Sequence, residues 1–278
     1  MPRVWKQDYL PPEQGGTWIS DEDRLPATKL FYSPYDLDAS AGTKRSTHWI
    51  GYKVHFTETC DDDLPRLITQ VTTTIAPTPD RQALPAIHEG LDQRELLPEK
   101  HLVDAGYMDA EALVTSRSTY QVDLLGPTAK DYRWQAREQN GYALADFSID
   151  WEHEQARCPQ GQTSSSWTPT WTRHQEIIKI KFGFAICGAC PVRSQCTKAK
   201  RRSLSVRRQE AHFALDAARQ REQTEEFKQE YAKRAGVEGV HAEASAYDGV
   251  APFALHWGAA NPSAARRDCN RHECLSGV

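Results

Sequence analysis

The chain reads as a mixed α/β protein, a sheet flanked by helices, with a small cysteine-rich module inserted late. Three observations carry that reading. Three β-prone runs before residue 75 precede an alternation of helical and strand-like segments, the pattern of a mixed sheet with helices on its faces. Between residues 127 and 205 that alternation gives way to tryptophans, a Ser164-Ser165-Ser166 run and four of the seven cysteines. Helical periodicity then returns from about Arg208 to Val237.

Taken in order, residues 1–29 are rich in proline, glycine, tryptophan and acid, an irregular lead-in. Thr28–Ser33 is a short β-prone run, expected as a first strand that delivers the carboxylates of Asp36 and Asp38 at its end. Residues 39–47, small and polar, read as a mobile loop. Trp49–Thr59 alternates aromatic or branched residues with polar ones, and Leu67–Thr74 is rich in β-branched residues, so Cys60–Pro65 suits a hairpin connection. From Asp80 the spacing of Leu84, Ile87, His88 and Leu91 predicts a helix that stops before Pro98. The apolar run His101-Leu102-Val103 then delivers Asp104 into a turn containing Gly106, followed by a helix over roughly 109–119 and a strand over 121–126. Ligand and metal chemistry collects beyond the C-terminal ends of such strands, which makes Asp104 a catalytic candidate. The competing reading makes Asp104 the cap of the next helix.

The net charge is −4 and charged residues are 26%, so any nucleic-acid footprint must be local. The first thirty residues hold acids and prolines and no apolar stretch, which excludes a signal peptide there. Mean hydropathy is −0.69, and no run approaches the roughly 20 apolar residues of a membrane span. A soluble, cytoplasmic protein with no membrane association is expected, and its cysteines read as thiols or metal ligands rather than disulfides.

Asp36, Asp104 and Glu238 are the carboxylates such a fold would bring together. Tyr231, Arg234 and Glu238 are spaced three and four apart and share a face if the helix continues. Three convergent carboxylates suit two Mg²⁺ or Mn²⁺ ions, and Arg234 would neutralise a phosphate. Arg234 and Glu238 also read as an ordinary surface pair. Cys158, Cys187, Cys190 and Cys196 can supply a tetrahedral thiolate site for structural Zn²⁺, with an iron–sulfur cluster or free thiols as alternatives. Lys198, Lys200, Arg201, Arg202, Arg207 and Arg208 follow and fit phosphate contact, or equally a solvated face.

Four stretches carry a resemblance: Ser33-Pro34-Tyr35-Asp36, Gly51-Tyr52-Lys53-Val54-His55, His101-Leu102-Val103-Asp104-Ala105-Gly106-Tyr107, and Tyr231-x2-Arg234-x3-Glu238. In this order, between about residues 4 and 241, the chain resembles the DDE transposases of bacterial insertion sequences. The resemblance implies an RNase H-like catalytic domain, with Asp36 (or Asp38), Asp104 and Glu238 as the metal-binding acids. It also implies hydrolysis at element ends followed by joining of the freed 3′-hydroxyl to target DNA. The expected division is a lead-in at 1–29, catalytic domain at 30–126, a zinc-ribbon-like insertion at 127–205, a completing helix at 206–241 and an out-of-pattern tail at 242–278. Relatives carry a further N-terminal region and a basic segment after the glutamate, so this chain is expected to be truncated at its N-terminus and frameshifted near 242–249. Two functions follow: a transposase whose own catalysis is in doubt, or a non-catalytic, zinc-stapled DNA-binding remnant. DNA is the expected partner of either, alongside a second copy or an intact transposase.

Overall fold

The computed structural model describes residues 7–9, 13, 15–20, 22–23, 25–26, 30–44, 46–62, 65–138, 141–172, 175–237 and 239. Helices and sheets are mixed along the chain. The described residues group into two compact units, one formed by those before Lys100 and from Gln229 on, the other by Lys100–Lys228.

The first unit is built on a three-stranded antiparallel sheet, β1 (Ser40–Lys44), β2 (Thr47–Glu58) and β3 (Ile68–Ile75), with β2 in the centre. The expected loop at 39–47 is therefore largely a strand. Its small residues have a packing reason: Gly42 faces Trp49, and a Cβ there would stand 2.6 Å from the indole ring. The expected first strand is absent over the described residues Leu30–Ser33, which lead instead into the bends around Asp36. β2 pairs with β1 up to Gly51 and with β3 from Tyr52. Gly51 makes that change of partner at φ +138, a conformation that β-branched and aromatic neighbours would resist, while its carbonyl accepts from the Ala76 amide at 3.1 Å. The predicted helix forms as α1 (Leu84–Asp92), entered through a 3₁₀ turn at Asp80–Gln82. It buries Leu84, Ile87, His88 and Leu91, the residues whose spacing announced it.

The second unit opens with a parallel β-α-β element: β4 (Lys100–Leu102), α2 (Ala110–Tyr120) and β5 (Asp123–Leu125). Asp109 caps α2, accepting from the Ala112 amide at 2.7 Å, so the capping role falls to Asp109 and not to Asp104. After the short helix α3 (Trp134–Arg137) come a small hairpin, β6 (Ser148–Asp150) with β7 (Gln155–Arg157), and strands β8 (Ser166–Thr172) and β9 (Gln175–Lys181). Two short helices, α4 (Phe184–Gly188) and α5 (Arg193–Cys196), precede β10 (Ser203–Arg207), which completes an antiparallel sheet in the order β10-β9-β8. Pro169 is tolerated because β8 is an edge strand. This part has its own core of Phe147, Ile178, Ile180, Phe182, Leu204 and Val206. Helix α6 (Gln209–Arg221) packs on α2, and Arg221 ties it to β5, meeting both Asp123 carboxylate oxygens at 2.9 and 2.7 Å and the Leu124 carbonyl at 2.7 Å.

The single long helix expected over 208–237 is interrupted. Glu222 turns its carboxylate to the amide and hydroxyl of Thr128, at 3.0 and 2.7 Å, and Thr224 accepts from the Phe227 amide at 3.2 Å, restarting the helix as α7 (Glu225–Ala232). Residues Lys233–Ala235 form a 3₁₀ turn.

Candidate functional site

Asp36 is the anchored acid of the first unit. One of its carboxylate oxygens accepts from the amides of Asp38 and Ala39, at 3.1 and 3.2 Å. The Tyr52 hydroxyl reaches both oxygens, at 2.9 and 3.0 Å. The Asp36 amide in turn donates to the buried Ser33 hydroxyl at 3.3 Å. Asp38, its rival in the sequence reading, is exposed. The Tyr52 hydroxyl is held above its usual pKa by burial first, then by its bond to Asp36 and the charges of Asp36 and Asp38. It is therefore a donor throughout the neutral range, and it orients the carboxylate while leaving lone pairs on the second oxygen. Tyr52 went unselected in the sequence, although its place in the period-two run of β2 was the available signal.

Asp104 lies two residues past the end of β4, exposed, in a turn closed by the Tyr107 amide on its carbonyl at 3.0 Å. Its carboxylate accepts from the adjacent Ala105 amide at 2.5 Å. What places it is the strand pairing beneath: the Val103 amide donates to Leu125 at 2.8 Å, and Gly126 comes so close that a Cβ there would sit 2.4 Å from the Val103 carbonyl oxygen. Tyr231 lies in the last turn of α7 and Arg234 in the 3₁₀ turn that follows, so the continuous helical face expected for these residues does not extend through the turn. Glu238 lies outside the described residues.

The four cysteines of the second unit, Cys158, Cys187, Cys190 and Cys196, line one cavity of about 370 Å³ together with Tyr142 and Arg202. Burial pushes the Cys196 thiol up, against the pull of Arg202. Among the described residues no group of three or more His, Cys, Asp or Glu side chains stands close enough to hold a metal ion as placed. The donor chemistry nonetheless fits a soft divalent cation: four thiols on one cavity, and the Arg202 amide already donating to Cys187 Sγ at 3.5 Å.

The basic strip divides. Lys198 and Lys200 are exposed, with Lys198 lying 5.1 Å from the centre of the Trp134 ring. Arg201 stacks on the exposed Phe184 at 4.2 Å. Arg202, expected among the phosphate contacts, is instead buried, because it shares the inward alternation of Leu204 and Val206 at the start of β10 and its guanidinium bonds the carbonyls of Cys196 and Tyr142, at 2.8 and 3.2 Å. Arg207 is hydrogen-bonded to the neutral amide of Gln175, and Arg208 pairs with Glu111 and Glu176 at 3.2 and 3.7 Å, which leaves Arg208 partly neutralised. Among the described residues no helix is long and apolar enough to cross a membrane.

Residues 157–259 match the family described as a transposase DDE domain. The matched stretch includes the four cysteines, the basic strip, Tyr231, Arg234 and Glu238, and it leaves out Asp36 and Asp104. No curated protein and no solved structure matches the chain. The match supports a DDE transposase as the class of this protein.

Proposed function

We propose that the chain derives from, and chemically is, a DNA transposase: an RNase H-like catalytic domain, interrupted by a zinc-ribbon-like module, that cuts phosphodiester bonds and joins the freed 3′-hydroxyl to target DNA. The observation that carries this reading is the transposase match over 157–259, lying downstream of an oriented aspartate and of a second aspartate at a strand end. Asp36, Asp104 and Glu238 would hold two divalent ions, Mg²⁺ or Mn²⁺, which supply activation of the attacking oxygen and stabilisation of the leaving one. Tyr52 donates to the Asp36 carboxylate and aims it. Arg234 and Tyr231 would orient a phosphate, and Lys198, Lys200 and Arg201 offer a positive, aromatic-backed surface for the DNA backbone. Cys158, Cys187, Cys190 and Cys196 would hold structural Zn²⁺. A second copy, or an intact transposase, is the partner this class of chemistry calls for, in the cytoplasm.

The test is Mg²⁺- or Mn²⁺-dependent nicking of plasmid DNA by the purified chain beside Asp104→Ala and Glu238→Gln, with zinc assayed on the same sample. Metal-dependent nicking lost in both variants supports the enzyme. A folded, zinc-containing protein that binds DNA in a salt-sensitive way, does not cleave, and is unchanged by Asp104→Ala replaces it with the non-catalytic binder. That second reading is favoured by one observation: the cysteine-rich part has a hydrophobic core of its own.

A further inference from the structure

Arg202 is a buried cation with no acidic partner in hydrogen-bond contact among the described residues. Its side chain is 5% exposed, its two terminal nitrogens donate to the neutral carbonyls of Cys196 and Tyr142, and its guanidinium lies 5.1 Å from the centre of the Phe147 ring. Its Nε is buried and has no hydrogen-bond partner among the described residues. Asp131 and Asp146 act on it through space, but neither bonds it, and Arg133 opposes them. A guanidinium cannot shed its proton to escape burial, so an isolated one of this kind is costly unless an anion stands nearby.

The cavity beside it offers such an anion. Arg202 lines the same space as Cys158, Cys187, Cys190 and Cys196, and its own backbone amide already points at Cys187 Sγ. Four neutral thiols, or two disulfides, would leave the guanidinium uncompensated. Four thiolates around one divalent cation carry a net charge of −2, and half of that is balanced by a single arginine. We infer that Arg202 is the charge-balancing residue of a four-thiolate zinc centre formed by Cys158, Cys187, Cys190 and Cys196. It acts as a positioning residue outside the ligand set, and this inference rests on the zinc reading above. It also explains why an arginine of the basic strip points inward when its neighbours face water.

The experiment uses the full chain with Zn²⁺ and Co²⁺ as probes, in wild type, Arg202→Gln and Arg202→Lys. Wild type is expected to bind one equivalent of zinc and to give the absorption bands of tetrahedral thiolate-bound Co²⁺. In Arg202→Gln, zinc affinity measured by chelator competition should fall about 10–100-fold, the range for residues that support metal ligands, with the Co²⁺ band positions kept. Arg202→Lys, which keeps the charge, should recover most of the loss. Wild type without zinc or a Co²⁺ signal sinks the zinc reading itself. A zinc-loaded wild type with Arg202→Gln within about twofold of it overturns the role of Arg202 and leaves the centre standing. If Arg202→Gln does not fold, Arg202→Lys decides: affinity near wild type supports charge balance, and a loss of about 100-fold rejects it.

Discussion

Asp36 and Asp104 are acids of the same expected cage, yet the fold holds them by opposite means. Asp36 is half-buried, with its carboxylate met by a tyrosine hydroxyl and two backbone amides on a loop that precedes an antiparallel sheet. Asp104 is exposed, its carboxylate met, among the described residues, by its neighbour's amide, and it is placed by the backbone of a parallel strand pair. The difference teaches that a carboxylate can be aimed by side chains or by strand ends. In the first case orientation and stability are coupled, so removing the acid disturbs the fold. In the second they are separate, and the acid can be deleted at little structural cost.

The largest expected effect tests the burial on which the first unit rests. His88 is 1% exposed, and burial pushes its pKa down to about 4. Because the folded value is depressed, stability is fully present above the unfolded value near 6.5 and is lost as the pH falls through 4. Between those limits it should amount to about 3 kcal/mol. Acid titration followed by circular dichroism should show this loss in wild type and a flatter limb in His88→Gln; identical limbs would reject the burial account. Next, Gly126→Val forces a side chain against the Val103 carbonyl beneath Asp104. A destabilisation of about 1–3 kcal/mol in urea is expected, with nicking reduced further, since the β4–β5 pairing must shift.

Two smaller effects sharpen the contrast between the acids. Tyr52→Phe removes the hydroxyl from Asp36 and should cost about 1–2 kcal/mol in urea denaturation, with nicking lowered more than binding. Asp104→Ala should leave the urea midpoint within about 0.5 kcal/mol of wild type, as for an exposed surface position, while abolishing cleavage. If Asp104→Ala destabilises as much as Tyr52→Phe, the distinction between side-chain and strand-end placement fails. Asp109→Ala removes the cap of α2 and should cost about 1 kcal/mol in urea denaturation, with cleavage retained.

Much of this is legible in the sequence. The apolar spacing of Leu84, Ile87, His88 and Leu91 announces α1, and the runs around Leu102 and Leu124 announce two strands, which the structure pairs in parallel. Asp104 at a strand end followed from the same pattern. The strand Ser40–Lys44 was hidden because its residues are small, and their reason for being small is Trp49 on the neighbouring strand, a contact that local propensity does not register. The break in the last helices was hidden likewise, since Glu222 leaves the helical run to cap a partner 94 residues away.

What the sequence by itself determined are the features with a period or a spacing: α1, the β-α-β alternation, the four cysteines within one stretch, and the motifs that resemble those of DDE transposases. These follow from contacts between residues near in the chain, or from chemistry written in residue type. What only the tertiary structure decided is which groups face each other: Tyr52 on Asp36, Asp109 rather than Asp104 as the cap, and the Arg202 guanidinium turned from the basic strip to the carbonyls of Cys196 and Tyr142. Side-chain direction depends on partners brought together by packing, and a buried cation is recognised only once its surroundings are known.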